Sequence, residues 1–159
     1  MILDLDRTAS GRSELEIAGP VDLGLGSEQP RDVVVRGLAT VDNLEHRVLL
    51  AGTLQARGRA ECSRCLDTFE LVWDVPLEIM VLRDVDSDEA DGDTLVLLQN
   101  SGEVDLRAAV TESVVLALPL APVCREDCRG LCPSCGSNRN TDTCNCEEED
   151  YDPRWEGLP

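Results

Sequence analysis

The sequence has no lysine, one histidine and only four aromatic residues among its 159 positions. All 14 basic residues are therefore arginine, and against 32 carboxylates they leave a net charge of −18. This charge excludes a plain basic nucleic-acid-binding domain, and four aromatic residues are too few for a surface on which successive bases stack. The lone histidine, His46, leaves little room for histidine-based acid–base catalysis.

Long apolar runs are also missing. The longest run, 114–123, has ten residues and contains two prolines, whereas a membrane span needs about 20 residues. The first residues show no basic segment followed by an apolar run, so we expect no secretory signal and no membrane association. We expect a cytoplasmic protein, and in that compartment eight cysteines indicate metal binding before disulfides.

Residues 48–62 and 68–81 alternate between apolar and more polar side chains. A period of two predicts strands with one buried and one exposed face. Together with residues 32–42 they predict an antiparallel meander, with turns at 43–45 and 62–65.

The chain on either side of this meander is less regular. Residues 1–30 predict an irregular start with short strand-like pieces, because Gly19-Pro20 and further glycines and prolines interrupt them. Residues 84–93 hold six carboxylates and predict a solvated loop. A short strand at 94–98 and a turn at 100–102 are expected to follow.

A single amphipathic helix is predicted at about 106–118, with Asp105 as its N-cap and Pro119 as its stop. Its apolar residues recur at helical spacing and should lie on the sheet. The predicted fold class is α+β, mainly β: an antiparallel meander packed by one helix, with a Cys-rich zinc-binding C-terminal tail. We place the sheet and helix domain at 1–120 and the tail, packed on it, at 121–159.

The cysteine spacing predicts two structural zinc ions. Zinc binds four thiolates tetrahedrally, and cysteines a few residues apart let one tight turn offer two sulfurs to one ion. Site one comprises Cys62, Cys65, Cys124 and Cys128, and site two comprises Cys132, Cys135, Cys144 and Cys146.

We favour this grouping because it places all four ligands of site two within fifteen residues, which keeps the entropic cost of closing the loop small. The alternative joins Cys62 and Cys65 with Cys132 and Cys135. Since every available ligand is a thiol, a structural staple is favoured over catalytic zinc, which keeps an open position. The spacing of Cys62 and Cys65 is also that of redox motifs, but here it falls at a β-turn and not at a helix N-terminus.

The sequence contains no glycine-rich phosphate loop, no nucleophile elbow and no carboxylate pair with a histidine partner. We therefore expect a non-enzymatic protein without a small-molecule substrate. A metal-dependent nuclease and a zinc or redox sensor are the less favoured alternatives.

Three segments give the chain a family resemblance. They are Cys62-Ser63-Arg64-Cys65-Leu66, the stretch 104–124, and Gly130-Leu131-Cys132-Pro133-Ser134-Cys135-Gly136 with Asn138, Asn140, Cys144, Cys146 and the closing 152–155. Over about 31–159 the chain resembles the YceD-like family, bacterial proteins with plastid relatives that are named for accumulation of large-subunit ribosomal RNA. Arg139 departs from the pattern, since leucine is more usual there. The resemblance implies a non-enzymatic role in synthesis, processing or accumulation of 23S rRNA during ribosome assembly.

Two modes of action fit this role. Residues 31–64 carry six arginines against four acids, so Arg57, Arg59 and Arg64 are candidate contacts to RNA phosphates. Alternatively, the carboxylate blocks at 84–93 and 147–152 would attract a basic ribosomal protein or assembly factor, which makes the chain an acidic interaction module or chaperone.

Overall fold

A computed structural model describes residues 1–8, 10–24, 30–44, 46–82, 95–98 and 102–146. Seven strands and one helix lie in these ranges. They are β1 (Ile2–Asp4), β2 (Gly11–Val21), β3 (Arg31–Asn43), β4 (Arg47–Glu61), β5 (Thr68–Leu82), β6 (Leu95–Leu98), β7 (Glu103–Asp105) and α1 (Arg107–Leu116). No helix within the described ranges is long and apolar enough to cross a membrane.

The main sheet has five strands in the order β2-β3-β4-β5-β6, and its first four strands are antiparallel neighbours. The predicted meander is therefore confirmed. Alternation along β4 and β5 buries one face, so that Leu54, Ala56 and Val75 are fully enclosed. The opposite face, which we call the outer face, carries side chains such as Leu38 and Arg57. This face is exposed to solvent.

The prediction of an irregular start was wrong for residues 11–21, which form the long strand β2. Gly19-Pro20 does not interrupt it, because β2 pairs only with β3 and is an edge strand. An edge strand tolerates a proline, since no second neighbour needs its missing N–H.

The strand predicted at 94–98 is present as β6, and it pairs in parallel with the end of β5. A parallel neighbour requires a crossover connection between the end of β5 and the start of β6. Residues 83–94, and with them the predicted acidic loop, lie outside the described part of the chain. So do residues 99–101, which cover most of the turn predicted at 100–102.

The predicted helix is confirmed at 107–116, but Asp105 is not its N-cap. Leu106 holds that position, and no side chain caps the helix there. Asp105 instead ends β7, paired with Ile2, and its carboxylate accepts hydrogen bonds from the backbone and guanidinium of Arg107. The helix buries Ala109, Val110 and Val114 in the core shared with the sheet, and its N-cap residue Leu106 is buried there too.

Candidate metal centres

Four sulfurs of the first cluster converge where the turn between β4 and β5 meets the chain that leaves the helix. Cys62 and Cys65 come from the turn, and Cys124 and Cys128 from the segment after α1. The sulfurs of Cys62 and Cys128 are 3.8 Å apart, those of Cys65 and Cys124 are 3.7 Å apart, and all four lie within 4.8 Å of one another. A tetrahedral metal with sulfur ligands at about 2.3 Å has sulfur–sulfur edges of about 3.8 Å. The cluster therefore has the dimensions of a four-thiolate metal site.

The second cluster lies entirely in the tail. The sulfurs of Cys132, Cys135, Cys144 and Cys146 also lie within 4.8 Å of one another. These are the two sets that loop closure favoured, and the structure does not bring Cys62 and Cys65 together with Cys132 and Cys135. The second cluster is less enclosed, since Cys135 is exposed whereas Cys62 and Cys65 are buried.

Both clusters begin with the same backbone turn. In the first, the N–H of Leu66 donates to the carbonyl of Cys62 (2.9 Å), and the N–H of Cys62 donates to the carbonyl of Asp67 (2.9 Å). In the second, Gly136 donates to Cys132 (2.8 Å) and Cys132 to the carbonyl five residues ahead (2.8 Å). We call these turns the first and second knuckle. Each one holds two cysteine side chains on one side of a tight loop.

The two knuckles differ at the residue that follows the second cysteine. Both Leu66 and Gly136 have positive φ, +64° and +73°. Glycine adopts this conformation without a steric penalty, whereas a residue with a Cβ costs about 1–2 kcal/mol. Leu66 is 55% exposed, so burial of its side chain does little to offset that cost.

Backbone N–H groups around the first cysteine of each knuckle stabilise a thiolate. Burial opposes ionisation of Cys62, but donors led by the N–H of Cys124, 3.3 Å from the sulfur, outweigh it and lower the pKa to about 6. In the second knuckle the N–H of Cys135 is the main cause that lowers the pKa of Cys132 to about 6. Hydrogen bonds to the charged form favour it, and metals bind the thiolate.

Cys65 and Cys146 resist ionisation, in part because they face thiols of the same cluster. For Cys65 the N–H of Asp67 favours the thiolate, yet burial and the neighbouring thiols outweigh that donor and raise the pKa. The side chain of Cys135 is the main cause that raises the pKa of Cys146 to about 12. Four thiolates in contact repel one another unless a cation neutralises them, so the donor set of each cluster fits a divalent metal.

A chain of hydrogen bonds connects the tail to the first cluster. The amide of Asn140 donates to the sulfur of Cys128 (3.4 Å) and to the side-chain oxygen of Asn138 (2.8 Å). The amide of Asn138 in turn donates to the carboxylate of Asp67 (2.7 Å), beside Cys65. Sequence reasoning noted the two asparagines as part of a motif but gave them no role, and it missed Asp67. The signal available was two amide side chains between cysteine pairs, where second-layer hydrogen bonds to metal ligands are common.

The three arginines predicted to contact RNA do not form one group. Arg57 and Arg59 lie on the outer face of β4, where Arg57 is 4.0 Å from Glu70 and Arg59 forms an ion pair with Asp32. Arg64 lies in the first knuckle, and its guanidinium donates to the carbonyls of residues 126 (3.3 Å) and 128 (3.1 Å). Arg64 therefore braces the loop that carries Cys128, a role that sequence reasoning missed.

Comparison with known proteins places these features in a family. Residues 50–159 match the family model described as "Large ribosomal RNA subunit accumulation protein YceD". The chain belongs to the YceD family. The matched range begins inside β4 and contains the helix, both knuckles and all eight cysteines, whereas β1 to β3 precede it.

Proteins of two mycobacteria are similar to the chain. An uncharacterized protein of Mycobacterium tuberculosis (strain H37Rv) is 35% identical over 119 residues, which cover 74% of this chain and 57% of that protein. An uncharacterized protein of Mycobacterium leprae is 30% identical over 124 residues, 74% of this chain and 54% of that protein. The chain thus spans a little over half the length of these curated relatives.

A plant protein with a descriptive name also matches. The chloroplastic "Large ribosomal RNA subunit accumulation protein YCED homolog 1" of Arabidopsis thaliana is 32% identical over 56 residues. The match covers 35% of this chain and 17% of the plant protein. No solved structure matches the chain.

Proposed function

We propose that this YceD-family chain is a non-enzymatic factor that supports accumulation of 23S rRNA during assembly of the large ribosomal subunit. The observation that carries the proposal is the family match over residues 50–159, which contains both cysteine clusters. Zinc then acts as a structural staple at both clusters: at the first it fixes the segment after the helix to the sheet, and at the second it closes a loop within the tail.

The donor sets support a structural rather than a catalytic ion. Each cluster offers four thiol ligands, and a zinc ion with four protein ligands has no position left for water or substrate. Cytosolic thiols stay reduced, which keeps such ligands available for metal.

RNA contact through Arg57 and Arg59 is the first mode of action. Both side chains are more than half exposed, although each has a carboxylate partner. Exposed ion pairs contribute little, so an RNA phosphate can replace the carboxylate at low cost. Arg64 contributes less in this proposal, because its guanidinium already binds backbone carbonyls.

Contact with a basic ribosomal protein or assembly factor is the second mode, and the composition of the outer face favours it. Arg36 is paired with Glu16 and Arg12 with Asp42 on this face. Carboxylates outnumber arginines among its described charged side chains, namely Glu14, Glu16, Asp32, Asp42, Glu61, Glu70, Asp74 and Glu78 against Arg12, Arg31, Arg36, Arg47, Arg57 and Arg59. Such a face attracts a cationic protein more strongly than a polyanion.

Depletion of the protein in its native cell tests the role itself. We expect the ratio of 23S to 16S rRNA to fall and to be restored by the wild-type chain. An unchanged ratio after complete depletion would contradict the proposal.

Ultraviolet crosslinking and affinity purification with and without RNase then separate the two modes. Loss of RNA crosslinks in an Arg57→Ala/Arg59→Ala variant, but not in an Arg107→Ala control on the helix, supports RNA contact. Association with a basic ribosomal protein that survives RNase supports the second mode.

A further inference from the structure

A groove lies between the first knuckle and the chain that leaves the helix. We call it the helix-exit groove. It encloses about 470 Å³, and its walls include Ser63 and Leu66 on one side and Val115, Leu118, Leu120 and Pro122 on the other. The N–H of Ser63 donates to the carbonyl of Pro122 (2.8 Å). This hydrogen bond joins the two walls, so the groove is formed before anything binds.

Leucines around this groove are unusually exposed. Leu120 is 104% exposed and Leu66 is 55% exposed, and both line the groove. Leu116, which follows the lining residue Val115 in the helix but does not line the groove itself, is 76% exposed. Single exposed apolar side chains need no explanation, but a contiguous apolar patch around a concave surface marks an interaction site.

Leu66 adds an independent observation. It adopts the left-handed backbone conformation at a position where the second knuckle has Gly136. The strain is not offset by enclosure of the side chain, which instead lines the groove. The knuckle imposes this conformation, and glycine would adopt it without a steric penalty, so what leucine adds at this position is an apolar side chain in the groove.

Charge decides which partner fits. Glu61 is the one charged residue among the described residues that line the groove. Glu112 lies one helical turn before Val115 and Leu116, on the same side of the helix. A second copy of this chain would bring a further net charge of −18 and be repelled, whereas a cationic segment would be attracted.

We propose that the helix-exit groove binds a short segment of another protein in which aliphatic side chains are flanked by lysine or arginine. The aliphatic side chains cover the exposed leucines, and the basic groups pair with Glu61 and Glu112. The assignment rests on the protein-partner mode proposed above and adds the site and the chemistry of the segment.

A peptide-binding assay with the zinc-loaded full chain tests this assignment. The probe is a fluorescein-labelled peptide with leucines at helical spacing and lysines between them, and binding is followed by fluorescence anisotropy. Peptides with glutamate in place of lysine, or serine in place of leucine, should bind at least tenfold more weakly.

Variants locate the binding site. Leu120→Ser and Leu66→Gly should each weaken binding by about tenfold, the factor expected when a buried leucine contact is lost. Leu38→Ser is the matched control, since Leu38 is 57% exposed but lies on the outer face. Leu66→Gly removes backbone strain, so its metal content and thermal stability should equal or exceed those of the wild type.

Several results would overturn the assignment. They are absence of binding, equal binding of the leucine and serine peptides, and equal loss of affinity in Leu38→Ser. A dimer in sedimentation that Leu120→Ser dissociates would identify a second copy as the occupant. A photo-crosslink from position 120 into residues 147–159 would identify the chain's own C-terminal residues. The assay contains no RNA, so its failure leaves the rRNA accumulation test standing.

Discussion

Cys124 and Cys144 provide a matched pair for testing how the two clusters stabilise the fold. Both side chains are half-buried, so replacement by serine perturbs their surroundings to a similar extent. They differ in the loops that a bound metal closes. Cys65 and Cys124 are 59 positions apart and enclose β5, β6, β7 and the helix. Cys135 and Cys144 are nine positions apart, and both lie in the tail.

The expected magnitudes follow from loop closure. A cross-link over 59 positions restricts the unfolded chain by about 4 kcal/mol, and one over nine positions by about 2.5 kcal/mol. Cys124→Ser should therefore lower the free energy of unfolding of the sheet by up to about 4 kcal/mol. With a urea slope of about 2 kcal/mol per M, the midpoint falls by about 2 M. Cys144→Ser should leave the sheet transition nearly unchanged, because its loop lies outside the sheet.

Trp73 provides the assay, since it is buried on β5 at 6% exposure. In a Trp155→Phe background, its fluorescence reports urea unfolding of the sheet alone. The samples contain excess zinc, and metal analysis should find one zinc per chain in each variant. Equal shifts of the midpoint in Cys124→Ser and Cys144→Ser would refute the reasoning, because the first cluster would then not fasten the sheet.

Two further substitutions test how the tail supports the first cluster. Asn140→Asp replaces the donor to the sulfur of Cys128 with a carboxylate, so chelator competition should show metal affinity at the first cluster reduced by about 10–100-fold. Gly130→Ala places a Cβ 3.0 Å from the carbonyl oxygen of Arg64 in addition to straining a positive φ of +69°. It should lower the melting temperature more than Gly136→Ala, where a Cβ meets nothing within 4 Å.

Asn145→Asp is the control for the first of these substitutions, because it adds the same charge between Cys144 and Cys146. Equal loss of affinity at the first cluster in both aspartate variants would show that net charge, and not the hydrogen bond, is responsible. An equal effect of both alanine variants would mean that contact with Arg64 does not hold the tail.

The central strands could be predicted, because each buries one face and the sequences of β3, β4 and β5 therefore alternate with a period of two. The strand β2 could not be predicted, because a proline such as Pro20 is excluded from a central strand but not from an edge strand. Whether a strand lies at the edge depends on the whole sheet. The parallel pairing of β6 depends on a crossover, which local pattern does not encode. Asp105 has a side chain typical of an N-cap, but the pairing of β7 with β1 keeps Asp105 in the strand, one residue before the position that caps the helix.

The metal clusters could likewise be predicted only in part. Grouping of the cysteines followed from spacing, since short loops close at lower entropic cost. The roles of Arg64 and Asn140 could not be predicted, because each depends on a partner that the fold brings close. Arg64 donates to the carbonyl of Cys128, and Asn140 donates to the sulfur of Cys128. Leu66 also gave no signal, since its positive φ is imposed by the knuckle.

The metal content of the purified chain, measured together with its intact mass, tests the central claim most directly. We expect two zinc ions per chain and a mass corresponding to eight free thiols once the metal is removed. A chain without zinc whose mass shows disulfides would contradict the account, because zinc could then neither fasten the tail to the sheet at the first cluster nor close the loop of the second.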